Sequence, residues 1–212
     1  MPGPLRVSIA LGTVIAVALT LAPRVYSQVP GVPSAARSTI PSCVVASPDG
    51  AFPSTIVVRD AAGTPVPGSK VVLDLSDCSL SVLCSIPCTG CSAGALARTV
   101  QKYADANGVA RFDLRAGGTC PNERVTVYAD AIALGTAAFS ALDQNGDLSV
   151  TNSDVVRVQS AQSTGDLSAD FDCSGTVTSA DVAIVQARLG VTCNGVVSVP
   201  RHSWGMLKGA YR

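Results

Sequence analysis

The chain has 212 residues, 8 cysteines, 14% charged and 4% aromatic side chains, and a formal net charge of zero. That length fits one domain or two small ones and excludes a multi-domain machine; the low charge and the lack of a long basic stripe exclude a disordered polyelectrolyte and a generic nucleic-acid binder. The acidic residues are lopsided, 14 Asp against the single Glu123, and Asp favours turns and metal loops over helix faces.

At the start of the chain, Arg6 precedes an uncharged run of 16 residues, Val7 to Ala22, shorter than the ~20 that a membrane-spanning helix needs. Small residues follow, and Val25-Tyr26-Ser27 before Gln28 fits a cleavage site. Residues 1–27 are therefore expected to be a secretory signal peptide, with a single membrane anchor as the alternative. The first cysteine is Cys43, too far on for a lipoprotein anchor. Loss of Arg6 and Arg24 leaves 13 basic and 15 acidic groups, a net of −2. The expectation is a secreted or cell-surface protein with no membrane span once the signal is removed. Residues 28–41, rich in Pro, Ser, Gly and Ala without periodicity, read as a flexible leader.

From 42 to 142 the pattern is β. The β-branched run Thr55–Asp60 is followed by the Gly/Pro cluster Ala61–Gly68, and Lys70–Leu75 is a second strand. Asp105-Ala106-Asn107-Gly108 is an Asn-Gly turn signal, leading into Val109–Arg115, which alternates apolar and polar residues. Val125–Asp130 and Thr136–Leu142 form a closing pair. Short strands between turns imply an antiparallel two-sheet sandwich. Within it, Val58–Gly68, Asp105–Ala110 and the closing hairpin resemble a bacterial immunoglobulin-like domain of the invasin type, which implies a spacer or adhesive module. The cysteine-rich insertion at 78–91 departs from that pattern.

An even cysteine number in an exported chain implies disulfides. Cys43, Cys78, Cys84, Cys88, Cys91 and Cys120 can pair in 15 ways; the late pair Cys173 and Cys193 is expected to join to itself. Cys84-x3-Cys88-x2-Cys91 has the spacing of an iron–sulfur motif, but that chemistry needs a reducing compartment and a large barrel. A zinc knuckle is a milder alternative to the expected cystine-stapled loop at 76–94.

The region 143–193 carries chemistry of its own. Asp143, Asn145, Asp147, Thr151 and Asp154 occupy positions 1, 3, 5, 9 and 12 of a loop, and Asp170, Asp172, Ser174, Thr178 and Asp181 repeat the pattern 27 residues later. The offset also relates Val150 to Val177, Val155 to Val182, Val158 to Val185 and Gln159 to Gln186. Calcium takes ~6–8 oxygens, and a twelve-residue loop of this spacing supplies side chains plus the position-7 carbonyl. Position 8, Val150 and Val177, is expected to point inward and pair the two loops. Short helices should follow, Val155–Ala161 and Val182–Leu189, the second ending at Gly190.

Two calcium loops, each with only an exiting helix, Asp at position 12 and Asp-Val-x-x-Val-Gln at the helix start, resemble a type I dockerin. The resemblance implies calcium ligands Asp143, Asn145, Asp147, Ser149 (carbonyl), Thr151 and Asp154, then Asp170, Asp172, Ser174, Thr176 (carbonyl), Thr178 and Asp181. It also implies partner contacts at Asn152, Ser153, Gln159 and Ser160 and at Ser179, Ala180, Gln186 and Ala187, toward a cohesin-like protein in extracellular polysaccharide-degrading complexes. The sequence departs from the pattern at Leu148, where position 6 usually needs Gly for its positive φ, and in lacking the basic pair common at the helix positions occupied by Gln159 and Ser160. Residues 143–190 hold seven Asp and two Arg, a net of −5, which two calcium ions nearly neutralise. The region is accordingly expected to fold only with calcium.

The tail 194–212 holds the only Trp, Trp204, and the only His, His202, and reads as a recognition tag or a frayed terminus. With His202 alone, no nucleophile elbow and no HExxH, the chain is not expected to be an enzyme. The sum is a mostly β chain with a small α part. An Ig-like sandwich precedes a two-helix dockerin-like module, in a non-catalytic protein that docks through calcium-bound loops; the alternative is a calcium-rigidified surface spacer or adhesin. A carbohydrate-binding sandwich is disfavoured, since its aromatics are only Phe52, Tyr103, Phe112, Tyr128 and Phe139. Leu142 runs into Asp143 without a linker, which predicts rigid packing of the two regions.

Overall fold

The strands follow the period-two runs of the sequence. In the computed structural model, which describes residues 31–94, 98–120 and 124–193, they are β1 (Cys43–Ala46), β2 (Pro53–Val57), β3 (Lys70–Asp74), β4 (Val82–Leu83), β5 (Ser92–Ala93), β6 (Thr99–Tyr103), β7 (Val109–Asp113), β8 (Ala116–Gly117), β9 (Arg124–Ala129) and β10 (Ile132–Ala141). Two helices close the described chain, α1 (Asn152–Thr164) and α2 (Ser179–Gln186). The protein is thus mostly β with a small α part. The expected signal peptide, the tail with His202 and Trp204, and Glu123 lie outside the described residues.

Six strands form one sheet in the order β1-β10-β9-β3-β6-β5, while β2 pairs with β7 and β4 with β8. Alternation sets the faces: β9 buries Val125, Val127 and Ala129 and turns Arg124, Thr126 and Tyr128 outward. Val71, Leu73, Val100, Val127 and Phe139 of the large sheet share one core with Ile56, Ala110 and Phe112 of the β2/β7 pair. The turn between β6 and β7 forms as the Asn-Gly signal predicts. Asp105 accepts the Asn107 and Val109 N–H groups at 2.8 and 2.9 Å. Gly108 has φ 72, and a Cβ there would stand 2.5 Å from the Val58 carbonyl oxygen.

Three expectations are corrected. Pairing is not wholly antiparallel: β1 lies parallel to β10, with Cys43 opposite Ala138 and Ala46 opposite Ala141, because strands from the two ends of the β region meet without a hairpin between them. The described part of the leader, 31–41, is not free: Thr39 and Val57 exchange backbone hydrogen bonds at 2.8 and 2.9 Å, and Ser34 N–H donates to the Arg59 carbonyl. The helices also shift. The first starts at Asn152, ahead of the expected Val155, and runs less than one turn past Ala161 to Thr164, before Gly165, a left-handed cap with φ 70, whereas the second stops at Gln186, before the expected Leu189.

Both faces of β1 are buried. Val44 and Ala46 enter the β core. Cys43 and Val45 join Leu142 at the end of β10 in a second core with Val150, Val155, Val158, Ala161, Ala169, Phe171 and Val185. The helical region is therefore packed on the outer face of β1 and the end of β10. Arg188 adds an ion pair to Asp49 at 3.1 Å and stacks over the Phe52 ring at 5.5 Å.

Candidate metal centre

The two loops repeat their closing hydrogen bonds at the 27-residue offset. At position 1, Asp143 accepts the Leu148 N–H at 2.7 Å and Asp170 the Gly175 N–H at 2.8 Å. At position 12, one oxygen of Asp154 accepts Gln144 and Asn145 N–H at 2.9 and 3.1 Å, and the other Thr151 N–H at 2.8 Å. Asp181 does the same with Phe171 and Asp172 at 2.7 and 3.3 Å and with Thr178 at 2.9 Å. The position-12 carboxylate thus closes the loop and starts the helix, whose first turn favours an acidic side chain.

Each loop needs a left-handed backbone at positions 4 and 6. The first supplies Gly146 (φ 74) and Leu148 (φ 68), the second Cys173 (φ 58) and Gly175 (φ 86). Each carries one glycine and one residue held in a conformation costing about 1–2 kcal/mol. Leu148 thus takes up the positive φ that the loop pattern demands.

All four end carboxylates are buried: Asp143, Asp154 and Asp181 are fully inaccessible and Asp170 is 6% exposed. Buried carboxylates are costly unless paired or hydrogen-bonded. Among the described residues the ion pairs are Arg115–Asp113 and Arg188–Asp49, so none of these four has a basic partner. Burial pushes the Asp143 carboxyl up to about 6, against the Leu148 and Gly146 N–H groups that favour its charge and with the Asp154 and Asp147 charges that oppose it. Asp170 is likewise raised, first by burial. Its neighbour Asp172 is held low by the Ser174 hydroxyl and N–H.

Carboxylate oxygens of Asp170, Asp172 and Asp181 lie within 4.8 Å of one another and can hold a metal ion. In the first loop Asp147 instead accepts the Ser149 N–H at 2.9 Å and the Asn145 amide at 2.8 Å, and that amide also reaches Ser153 at 3.1 Å. Of the remaining expected ligands, Ser149 and Thr151 line the first loop half-buried. In the second, Ser174 donates its hydroxyl to the Thr176 carbonyl at 3.0 Å, and Thr178 caps α2 by accepting the Ala180 N–H at 3.1 Å. The eight expected partner positions, Asn152, Ser153, Gln159, Ser160, Ser179, Ala180, Gln186 and Ala187, are all solvent-exposed.

The expected Cys173–Cys193 bridge is not formed. Cys173 joins Cys43 of β1 and Cys193 joins Cys84, with Cα separations of 6.0 and 5.7 Å. Loop position 4 aims its side chain at β1 and away from the chain after α2, a direction that spacing along the sequence does not encode. Cys78–Cys120 and Cys88–Cys91 complete the set, so the 76–94 insertion is cystine-stapled and Cys84, Cys88 and Cys91 have no free thiolate for a cluster or zinc. Four disulfides suit an oxidising, extracytoplasmic compartment, and no described helix is long and apolar enough to cross a membrane. Val150 and Val177 both turn inward to the second core, as expected, while the backbone partner of Val150 is the chain after α2. Val150 exchanges backbone bonds with Gly190 and Val191 at 2.8 Å, because the chain after α2 folds back beside the first loop.

Two sets of residues around the loops escape sequence reasoning. Gln144, at position 2, sends its buried amide to the Ala141 and Ser168 carbonyls at 2.6 and 3.0 Å, tying the end of β10 to the approach to the second loop. Gly117 of β8 lies against the Asp143 carboxylate, and the Gly118 N–H donates to the Asp143 carbonyl at 2.7 Å. Neither shows in periodicity or spacing, since Gln144 has Phe171 at its repeat position and Gly117 comes from a two-residue strand. Compared with known proteins, the chain matches no family model and no curated protein.

Proposed function

We propose that this is a secreted, non-catalytic calcium-binding protein in which an Ig-like sandwich carries a dockerin-like pair of calcium loops. The observation that carries this reading is the repeated arrangement of buried carboxylates without basic partners, in loops whose oxygens and left-handed positions recur at a fixed offset. Oxygen-only donors and loop length favour calcium over softer metals. Support for the sandwich comes from the parallel first and last strands of the large sheet and from the shared core with β2 and β7.

The exposed helix positions form a face on which a cohesin-like partner is the proposed occupant, as part of an extracellular polysaccharide-degrading assembly. The second reading, a calcium-rigidified spacer or adhesin, is favoured by a different observation: the helical region is bonded to the β region by two disulfides, an ion pair and a common core. Calorimetric titration of the chelator-stripped protein with calcium tests the metal, and absence of a saturable heat at millimolar calcium refutes it. A pull-down with and without chelator then separates the readings. A partner released by chelator supports docking; calcium binding without a partner supports the spacer.

A further inference from the structure

Each loop is tied to the β region by a disulfide of its own. In the second the tie is direct, since Cys173 is itself loop position 4. In the first it runs through the backbone: the Cys193 N–H donates to the Leu148 carbonyl at 3.0 Å, and the Cys193 sulfur is bonded to Cys84. The residues so held, Cys173 and Leu148, are the two non-glycine residues that the loops keep left-handed. Ordering a loop in that form disfavours metal binding when it happens at the moment of binding, and does not when a cross-link has already done it.

The two ties differ in access. Cys84 and Cys193 are 5% and 6% exposed, whereas Cys173 is solvent-exposed. Cys173 and Cys43 both line an open depression of about 450 Å³, together with Val45, Phe52, Pro53 and Thr55. An attacking thiolate can thus reach the Cys173 sulfur from solvent, with Cys43 as the leaving group beneath it.

We propose that Cys43–Cys173 is a thiol–disulfide exchange site for a dithiol reductant, and that its opening weakens the calcium affinity of the second loop. The proposal rests on the calcium reading above and adds its regulation. One reductant thiolate attacks Cys173 Sγ, giving a mixed disulfide and releasing Cys43 as a thiolate that takes up a proton. The second reductant thiol, as its thiolate, then attacks the reductant sulfur of the mixed disulfide, closing the reductant's own disulfide and releasing Cys173. Two electrons and two protons pass from the dithiol to the protein. Because linkage is reciprocal, bound calcium opposes the reduction by the same factor at equilibrium.

The test uses the full chain in its oxidised form. Limited dithiothreitol treatment, alkylation and peptide mapping identify the first disulfide to open, and calorimetry measures calcium affinity before and after. Cys43 and Cys173 are expected to be alkylated first, with the affinity of one site falling about tenfold and the other unchanged. Paired Cys43→Ser and Cys173→Ser substitutions should reproduce that loss, and paired Cys88→Ser and Cys91→Ser substitutions should leave both affinities intact. Earlier opening of another disulfide, or unchanged affinity once Cys43 and Cys173 are alkylated, overturns the proposal alone. Failure of the untreated oxidised protein to bind calcium overturns the calcium reading and this proposal with it.

Discussion

A single methyl group added at Gly117 tests whether the β region shapes the first loop. A Cβ there would overlap an Asp143 carboxylate oxygen and stand 2.6 Å from its Cγ and 3.0 Å from its Cβ. Asp143 has no room to retreat, being fully buried with its oxygens held by Gly146 and Leu148 N–H groups at 2.8 and 2.7 Å. Either β8 shifts, at the ~1–3 kcal/mol typical of overpacking, or one charge-assisted hydrogen bond is lost, at about 1.5–3 kcal/mol. Gly117→Ala is therefore expected to cost about 2 kcal/mol, a fall in Tm of roughly 4–8 °C for a protein of this size. Gly63→Ala is the control: it has φ 86 and nothing within 4 Å of the added carbon, so it carries only the left-handed strain of about 1–2 kcal/mol and leaves both calcium sites intact. Differential scanning calorimetry reads both, and calcium stoichiometry reads the loop, with Gly117→Ala weakening the first site and sparing the second. A Tm within about 1–2 °C of the parent, smaller than the expected fall, together with unaltered binding at both sites, would refute the packing argument.

Further outcomes follow from the same geometry. Asp143 is raised to about 6 from an ordinary 3.8, so the folded state binds the proton more tightly. Without metal, its contribution to stability is fully present below about pH 4 and lost as pH rises through 6. Calcium must displace that proton, so affinity at the first loop should fall as pH drops below 6, measured by calorimetry across that window. Asp181→Ala removes the acceptor for Phe171 and Thr178 N–H at 2.7 and 2.9 Å. It should cost about 2–4 kcal/mol in denaturant unfolding and abolish metal at the second loop. Arg188→Ala breaks a partly exposed ion pair and a ring contact, and should cost no more than about 1 kcal/mol, less at high salt.

The strands with clean alternation were legible because a half-buried sheet imposes a period of two: Lys70–Asp74, Val109–Asp113 and Arg124–Ala129 fall within a residue or two of expectation. β1 was not, because Cys43–Ala46 is buried on both faces and has no alternation to read. The loops were legible from oxygen spacing, and the hydrogen bonds at positions 1 and 12 repeat at the offset seen in the sequence. What spacing omits is direction. Cys173 and Cys193 lie 20 residues apart around one loop and one helix, yet position 4 faces β1 and the chain after α2 returns to Leu148. The contact of Gly117 with Asp143 joins residues whose chemistry predicts no affinity for each other.

The Cys43–Cys173 bridge also decides how the protein answers to tension. A pull applied outside residues 43 and 193 meets two parallel routes, one across Cys43–Cys173 and along residues 173–193, the other along residues 43–84 and across Cys84–Cys193, and the chain between 84 and 173 is bypassed. The shorter route, residues 173–193, is drawn taut first. At ~3.3–3.6 Å per residue that stretch can lengthen to about 70 Å, against about 500 Å for the unbridged chain. Ser174, Thr176, Thr178 and Asp181 lie within the loaded stretch, and Asp170 and Asp172 just outside it. A cation held between Asp170, Asp172 and Asp181 is thus a clasp across the shorter of the two routes, and it adds to the force at which the protein begins to give.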